Sequence, residues 1–383
     1  MKYVCLFNEY KEKNTHKNTH NLLNNIGSTL SEVTKLGLPI PRGFIITADA
    51  YNQYYRDNEK INEELQKQIN EYISKLEQIN KKQFGSIDNP LLFCIKCKIF
   101  DYSSHSIKSL INVGLTDNIV ENISKNTNEF IWIWDCYLYF IENYTKIVKG
   151  IELKCFKEIQ DTLNNNKLKL TIEDLRILAG KLKYEYKLRV HNNFPDNSIE
   201  QLNSIIEALF KSWNDNKDFN ISKSSTNGPT ICVQPMVFGN LNEKSGIGTI
   251  YTRCPKTGEK ILMGNFARQK LNIINNLTTI NTFDNSIIAN EFPTIYNQLK
   301  NICNILEEYY KDMMNIDYVI ENNELFIVQV KYGRRTAQAA LKIANDFFKE
   351  NMSNDISDDL NNIKRQIKIK ALTCFDGKGL EKS

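Results

Sequence analysis

The residues best placed for chemistry lie in two apolar segments within 315–330, which flank an Asn-Asn pair at 322–323. Apolar runs on either side of such a pair predict a β-hairpin with a tight turn. With the turn at this point, Asp317 and Gln329 fall nearly opposite each other, and cross-strand neighbours lie roughly 5 Å apart. Lys331 lies two residues beyond Gln329 and therefore points to the same face. One face of the hairpin would thus carry a carboxylate oxygen, an amide oxygen and a cation.

These three groups together suit a site for magnesium and phosphate. Mg²⁺ prefers oxygen ligands, and it takes one or two from the protein and the others from water and substrate phosphates. A neighbouring cation neutralises phosphate charge. The same spacing is also typical of the solvated outer face of an ordinary hairpin, and spacing alone leaves both interpretations open.

Two predicted helix N-termini are further candidates for phosphate binding, because backbone N–H groups point outward there. Gly27 precedes a helix predicted over 28–36 with Ser28 as its N-cap, but a single glycine without a lysine is a weak signal. Further along, Arg335 and the arginine before it precede a helix that starts near Thr336. Ordinary surface charge beside a helix end is the alternative interpretation of this second candidate.

Two segments that mix strands with helices must position these residues, and a helical segment separates them. Apolar runs predict strands at 43–47 and 91–96, and apolar residues at spacings of three and four predict a helix at 61–79. From about 108 to 213 the pattern is almost wholly helical. The later predicted elements are strands at 230–240 and 246–255, a helix at 292–313, the hairpin and a final helix. The simplest fold is α+β, with two α/β lobes around a helical insert.

Composition narrows the class of protein. The chain has 383 residues, enough for two or three lobes, and its net charge of +4 is too small to indicate nucleic-acid binding. Its nine cysteines include one close pair, Cys94 and Cys97, which lacks the second pair of a zinc site; scattered thiols are typical of a reducing cytosol. The N-terminus turns polar after seven residues, and no apolar run approaches the ~20 residues of a membrane span. We therefore expect a cytoplasmic protein without a signal peptide or a membrane partner.

Stretches between about residue 3 and about residue 350 resemble, in order and spacing, the N-terminal ATP-binding domain of pyruvate phosphate dikinase. Among them are LLNNIGSTLSEVTKLGLPIPRGF, FIWIWDCYLYFIENY, VQPMVFGN, SGIGTIYTRCPKTGE and GRRTAQAALKIA. The resemblance implies a mixed α/β ATP-grasp fold. Its implied parts are a first nucleotide-binding lobe at 1–107, a helical insert at 108–213, a second lobe with the metal-binding hairpin at 214–350 and a diverged tail at 351–383.

The resemblance also implies a cofactor and a set of site residues. Dikinases of this family bind ATP with Mg²⁺ between two lobes, pass phosphate to a histidine on a separate domain, and deliver it to pyruvate in a third. The implied metal ligands are Asp317 and Gln329. The implied nucleotide-binding residues are Gly27, Lys96, Gln234, Met236, Lys331 and Arg335. No catalytic residue is assigned, because the family's charged positions have changed here.

The changed positions weaken the predicted phosphate site. Ile26 stands where the glycine-rich loop of the family has its lysine, and Asn24 and Asn25 replace glycines ahead of it. Lys96 and Lys331 replace arginines, so they keep the charge but lose the bidentate fork. The other changes place Phe100, Leu138 and Tyr139 at arginine positions, Asn265 at a glutamate position, Asn315 at an acidic position, and Asp317 at a glutamate position. Each lost charge-assisted hydrogen bond removes roughly 1.5–3 kcal/mol.

Two functional hypotheses follow. In the first, the chain binds ATP with Mg²⁺ and phosphorylates a phosphohistidine domain supplied by another chain, because its histidines at 16, 20, 105 and 191 lie outside the family's Thr-Ser-His motif. In the second, it is a non-catalytic remnant or pseudoenzyme that folds but binds ATP weakly or not at all. The family reaction converts ATP, phosphate and pyruvate to AMP, diphosphate and phosphoenolpyruvate. We expect a truncated phosphotransferase by descent, which does not catalyse that full reaction alone.

Overall fold

The computed structural model of the chain describes residues 2–10, 26–99, 107–126, 130–166, 171–217, 228–268 and 286–352. This described part combines helices with a five-stranded, a four-stranded and a two-stranded sheet, so the α+β prediction is confirmed. The arrangement fits an ATP-grasp-like fold. The described residues form two compact units, and the boundary between the units lies between Asn242 and Glu243.

The first unit is built on the five-stranded sheet. Its strands are β1 (Val4–Leu6), β2 (Phe44–Ile46), β5 (Phe93–Lys98), β6 (Ile107–Val113) and β7 (Ile231–Pro235), and β3 (Gln83–Phe84) and β4 (Pro90–Leu91) form a separate parallel pair. The sheet order is β1-β2-β7-β5-β6, and all four neighbouring pairs are antiparallel. Its helices are α1 (Ile26–Lys35), α2 (Ala48–Arg56), α3 (Glu63–Asn80), α4 (Asp117–Lys125), α5 (Ile131–Lys149), α6 (Cys155–Asn166), α7 (Ile172–Val190) and α8 (Ser198–Asp215).

One apolar core serves both the sheet and the helices of the first unit. Phe44 and Phe93 from the strands belong to the same buried cluster as Trp134 from α5 and Trp213 from α8. Burial of large aromatic side chains is the main stabilising contribution of such a core. The helices predicted over 108–213 therefore fold onto the five-stranded sheet.

Two strands of this sheet differ from the predicted pattern. Residues 107–113, at the start of the segment predicted to be helical, form the strand β6, which pairs with β5. The strand β7 follows the predicted lobe boundary at 213/214, yet it lies between β2 and β5 in the first unit's sheet. The strand β7 was predicted as a strand, but its partners β2 and β5 are far away in sequence, and a local pattern does not show which strands pair.

The helix α1 starts earlier than predicted. It includes Ile26 and Gly27, so the glycine lies inside the first turn, and Ser28 is a buried helical residue rather than the N-cap. The predicted stop is confirmed, because Gly37 has a φ of +74°. The Gly37 N–H donates to the Thr34 carbonyl, and the Leu38 N–H donates to the Val33 carbonyl. These two bonds are the pattern of a Schellman motif.

The second unit is built on the four-stranded sheet. Its strands are β8 (Gly246–Tyr251), β9 (Met263–Arg268), β10 (Met314–Glu321) and β11 (Glu324–Tyr332), and its helices are α9 (Ser286–Glu291), α10 (Pro293–Tyr310) and α11 (Ala337–Met352). The order is β11-β10-β8-β9, with every neighbouring pair antiparallel. The predicted hairpin is confirmed: Asn322 and Asn323 have φ values of +50° and +66°, as a type I′ turn requires.

Aromatic rings cover one face of β8. The rings of Phe266 and Tyr318 are parallel, with centroids 6.5 Å apart. They lie where β8 has Gly246 and Gly248, and a Cβ atom at Gly248 would come within 2.4 Å of the Tyr318 ring. Because side chains alternate along a strand, Thr249 must project from the opposite face.

Candidate nucleotide and metal site

A row of four polar residues crosses the sheet of the second unit. Gln329 of β11 is the register partner of Asp317 on β10, as predicted. Asp317 is in turn the partner of Thr249 on β8, and Thr249 is the partner of Asn265 on β9. The sheet therefore brings together four oxygen-bearing side chains from four strands.

Both carboxylate oxygens of Asp317 accept a hydrogen bond. The Lys331 ammonium lies 3.0 Å from Oδ2, and the Thr249 hydroxyl donates to Oδ1 over 2.8 Å. Asn265 Oδ1 accepts from the backbone N–H of Thr249 over 3.1 Å. The side chain of Lys331 is 46% exposed and that of Asp317 is 25% exposed, so solutes can reach this cluster.

Asn315 adds a buried oxygen beside the cluster. It precedes Asp317 by two residues on β10 and is the register partner of Lys331. The residue is 4% exposed, and its Oδ1 atom finds no donor among the residues that the structure describes. A buried amide oxygen without a donor is costly unless a water or an ion reaches it.

The available atoms fit Mg²⁺ as part of a larger coordination shell. The carboxylate of Asp317 and the amide oxygens of Gln329 and Asn315 are the kinds of ligand that this hard cation prefers. Within the described ranges, no group of three or more His, Cys, Asp or Glu residues could hold a metal ion. A single carboxylate therefore suits a cation that also takes phosphate and water oxygens.

Arg335 has an internal partner in the same unit. Its guanidinium forms a buried ion pair with Asp312, in which Nη2 lies 3.0 Å from Oδ2 and Nη1 contacts Oδ1. Thr336 caps the helix that follows, because its hydroxyl accepts from the Ala339 N–H over 3.2 Å. The charge of Arg335 is thus neutralised within the protein, and its predicted role in nucleotide binding stays a prediction.

Lys96 and Gln234 share one face of the first unit's sheet. Lys96 on β5 is the partner of Cys232 on β7, and Gln234 lies two residues beyond Cys232. Both are buried, with exposures of 8% and 2%. Gln234 Nε2 donates to the Pro41 carbonyl over 3.4 Å. Burial also lowers the pKa of Lys98, which is two residues further along β5, so this face lies in an environment that is poor in water.

Met236 and Gly27 are held by backbone structure. The Met236 N–H donates to the Leu92 carbonyl over 2.8 Å, just past the end of β7. Gly27 and Ile26 are both buried at the start of α1, and Ile26 is 5% exposed. Ile26, which was predicted to stand in the lysine position, is therefore part of the core.

Several of the changed positions can be located and others cannot. Leu138 and Tyr139 lie on α5, where Leu138 is fully buried. The predictions for Asn24, Asn25 and Phe100 lie outside the described residues.

Thr249 is the site residue that sequence reasoning missed. The segment around it was predicted to be a strand, and the alternation of glycines at 246 and 248 indicates that position 249 faces the other way. Its position beside Asp317 depends on the pairing of β8 with β10, which the sequence does not reveal.

Comparison with curated proteins finds relatives of one kind. Pyruvate, phosphate dikinase of Clostridium symbiosum is 34% identical over 356 residues, which cover 90% of this chain and 40% of that protein. The Rickettsia prowazekii dikinase is 33% identical over 351 residues, covering 87% and 39%. The chloroplastic dikinase of Mesembryanthemum crystallinum is 30% identical over 346 residues, covering 88% and 36%. No family model matches the chain.

The mixed α+β fold fits the ATP-grasp-like class. Within that class, the relatives confirm the resemblance stated from the motifs: the chain belongs with the pyruvate, phosphate dikinases. It spans about 40% of the length of the relatives that it matches. No helix in the described residues is long and apolar enough to cross a membrane.

Proposed function

We propose that the chain is the nucleotide-binding part of a pyruvate phosphate dikinase-like phosphotransferase and binds ATP with Mg²⁺. The observation that carries the proposal is the placement of Asp317 opposite Gln329, with the Lys331 ammonium 3.0 Å from the carboxylate. A carboxylate, an amide oxygen and a mobile cation on one accessible face are what a nucleotide phosphate with its metal ion requires.

The residues of the second unit would act by holding charge in place. Asp317 and Gln329 would supply oxygen ligands, and Lys331 would pair with a phosphate oxygen. The metal ion, when bound, neutralises charge on the phosphates. Phosphoryl transfer depends mostly on such positioning and electrostatic stabilisation, so these residues would set the affinity and orientation of the nucleotide. In the first unit, Lys96 and Gln234 are the proposed contributors.

The complete dikinase reaction needs more than this site. We propose that a phosphohistidine domain outside these 383 residues would accept the phosphate. On this proposal ATP is the substrate of the chain itself, and pyruvate is not.

A non-catalytic pseudoenzyme is the second candidate function. Two observations favour it: Ile26 is buried in the core where the family has a lysine, and the Arg335 charge is neutralised by Asp312. Such a chain would keep its fold and bind ATP weakly or not at all.

Calorimetric titration of the full chain with ATP, with and without Mg²⁺, separates the two candidates. We expect Mg²⁺-dependent binding that Asp317→Asn weakens roughly 10- to 100-fold, since a charge-assisted contact contributes about 1.5–3 kcal/mol. Glu324→Gln is the matched control, because it removes a charge from an exposed position of the same hairpin. If the chain binds no ATP at millimolar concentration, the nucleotide-binding proposal fails and the pseudoenzyme remains.

A further inference from the structure

We propose that Thr249 and Lys331 form a clasp on Asp317, in which Lys331 is an exchangeable counter-ion that must leave before a divalent cation binds. Phosphate is the ligand that draws the ammonium away, so phosphate and cation bind cooperatively. This inference rests on the proposed function in assigning the phosphate to a nucleotide, but the clasp itself is a property of the chain alone.

The two halves of the clasp differ in stiffness. Thr249 belongs to a strand paired with β10 throughout its length, and its hydroxyl donates to Oδ1 over 2.8 Å. Lys331 reaches Oδ2 with a long side chain that is 46% exposed. Thr249 therefore fixes the orientation of the carboxylate, while the ammonium can move without disturbing the sheet.

The ammonium excludes a cation as long as it stays. A divalent ion that binds Oδ2 would approach the positive charge of Lys331, which already lies 3.0 Å from that atom. Repulsion between like charges at this range is strong at a partly exposed site. Cation binding by the free chain is therefore weak, and it strengthens once the ammonium has another partner.

Asn315 provides the independent sign that a ligand belongs here. Its Oδ1 is buried and finds no donor among the described residues, and its register partner is Lys331. When the ammonium turns toward a phosphate, the oxygens of Asp317, Asn315 and Gln329 all lie along the vacated face. A hydrated cation would satisfy the Asn315 oxygen, which no described residue does.

The clasp can be measured through the effect that phosphate and the cation have on each other's binding. If phosphate raises the affinity for the cation, the cation raises the affinity for phosphate by the same factor. Removing the ammonium should strengthen cation binding in the absence of phosphate and reduce the coupling to the part that comes from direct contact between phosphate and the cation. Lys331→Met makes this change and keeps the length of the side chain.

The test is Mn²⁺ binding to the full chain, followed by the electron paramagnetic resonance signal of free Mn²⁺, without nucleotide. We expect Lys331→Met to bind Mn²⁺ about fivefold more tightly than the unchanged chain, the equivalent of an exposed ion pair. Lys342→Met is the matched control, because Lys342 is 43% exposed and pairs with Asp346 on α11. Equal or weaker binding by Lys331→Met would overturn the clasp. Asp317→Asn must lose the Mn²⁺ site; if it does not, the ion binds elsewhere and the inference is wrong.

A second arm repeats the titration with inorganic phosphate. Phosphate should strengthen Mn²⁺ binding to the unchanged chain more than binding to Lys331→Met, in which only direct coordination of the ion by phosphate remains; an equal effect on both chains contradicts the inference. Thr249→Val should weaken Mn²⁺ binding in this arm, and Thr249→Ser should restore it, which a purely structural role would not produce. Since neither arm contains nucleotide, a chain that fails to bind ATP can still show the clasp.

Discussion

Single side chains determine how many charged groups of the candidate site are available to a ligand. Asp317 keeps both oxygens paired, Arg335 is neutralised by Asp312, and Ile26 is a buried apolar residue of the core. The candidate site thus has fewer free charges than its residue list indicates. Asp317 and Lys331 remain the accessible pair on the polar row.

Ile26 provides a test of this point, because a lysine at that position would place an ammonium in a site that is only 5% exposed. We expect Ile26→Lys to lower the free energy of unfolding by about 2–4 kcal/mol, through lost apolar burial and desolvation of the charge. Urea unfolding followed by circular dichroism measures the change. Ile26→Met, which keeps volume and polarity, should cost less than about 1.5 kcal/mol. Equal stability of the lysine variant would show that position 26 lies outside the core.

Glu142 on α5 provides a test by pH. Burial raises the pKa of its carboxyl to about 7. The negative charges of Glu152 and Glu185 also raise this pKa, whereas the Leu153 N–H and the Lys146 ammonium lower it. A carboxyl whose pKa is higher in the folded state than in the unfolded state makes the fold less stable as pH rises between the two values. Glu142 therefore lowers the free energy of unfolding as the pH rises from about 4.5 to about 7.

Glu142→Gln should remove that pH dependence. We expect the variant to be more stable than the unchanged chain at pH 8, by up to about 3 kcal/mol, and of similar stability at pH 4.5. Urea unfolding at both pH values measures the difference. Glu71→Gln is the control, because Glu71 is 56% exposed and pairs with Lys75. A variant that is less stable than the unchanged chain at pH 8 would contradict the assignment.

Buried ion pairs hold the elements of the second unit in place. Arg253 is 1% exposed, and its guanidinium reaches Glu307 on α10 over 3.0 Å and Asp346 on α11 over 3.0 Å. The pair of Arg335 with Asp312 joins the segment before α11 to the segment between α10 and β10. These contacts fix the two helices against the strands that carry the polar row.

The Asp312 pair should be expensive to break. We expect Asp312→Asn to lower the free energy of unfolding by about 3–5 kcal/mol, because it leaves the Arg335 charge buried without its counter-ion. Asp312→Asn combined with Arg335→Met should recover part of the loss. The control is Lys342→Met, which breaks an exposed pair and should change stability by less than about 1 kcal/mol. Thermal and urea unfolding together report the effect; a single-variant cost as small as that of the control would show that the pair contributes little.

Sequence reasoning succeeded for elements whose signals are local. The hairpin could be predicted because Asn322 and Asn323 tolerate the positive φ of a type I′ turn, and the end of α1 because Gly37 does. It failed for β6, which pairs with the preceding strand β5 but was predicted to be helical. It also failed for the sheet position of β7, because the partners of β7 are far away in sequence. Thr249 was missed for the same reason. The start of α1 was misjudged because Ser28 is a good N-cap residue that is buried within the helix instead.

At the scale of the whole molecule, the chain consists of two units with separate sheets, and each unit carries part of the proposed nucleotide-binding set. Lys96 and Gln234 belong to the first unit; Asp317, Gln329 and Lys331 belong to the second. About nine-tenths of the chain aligns with dikinases of which it spans about 40%. Similarity over that length supports the family and the fold, whereas retained affinity for ATP depends on a few side chains and has to be measured.

The two faces of β8 have different roles: one face packs into the core, and the other carries a residue of the candidate site. Gly246 and Gly248 leave room for the rings of Phe266 and Tyr318, so mutation at either glycine is blocked by steric overlap. Thr249 projects the other way, into the half-exposed polar row, and can be exchanged without touching those rings. Substitutions at position 249 can therefore change the ligand preference of this strand during evolution while its core contacts stay the same. For the same reason, β8 is a suitable starting point for redesigning what the sheet binds.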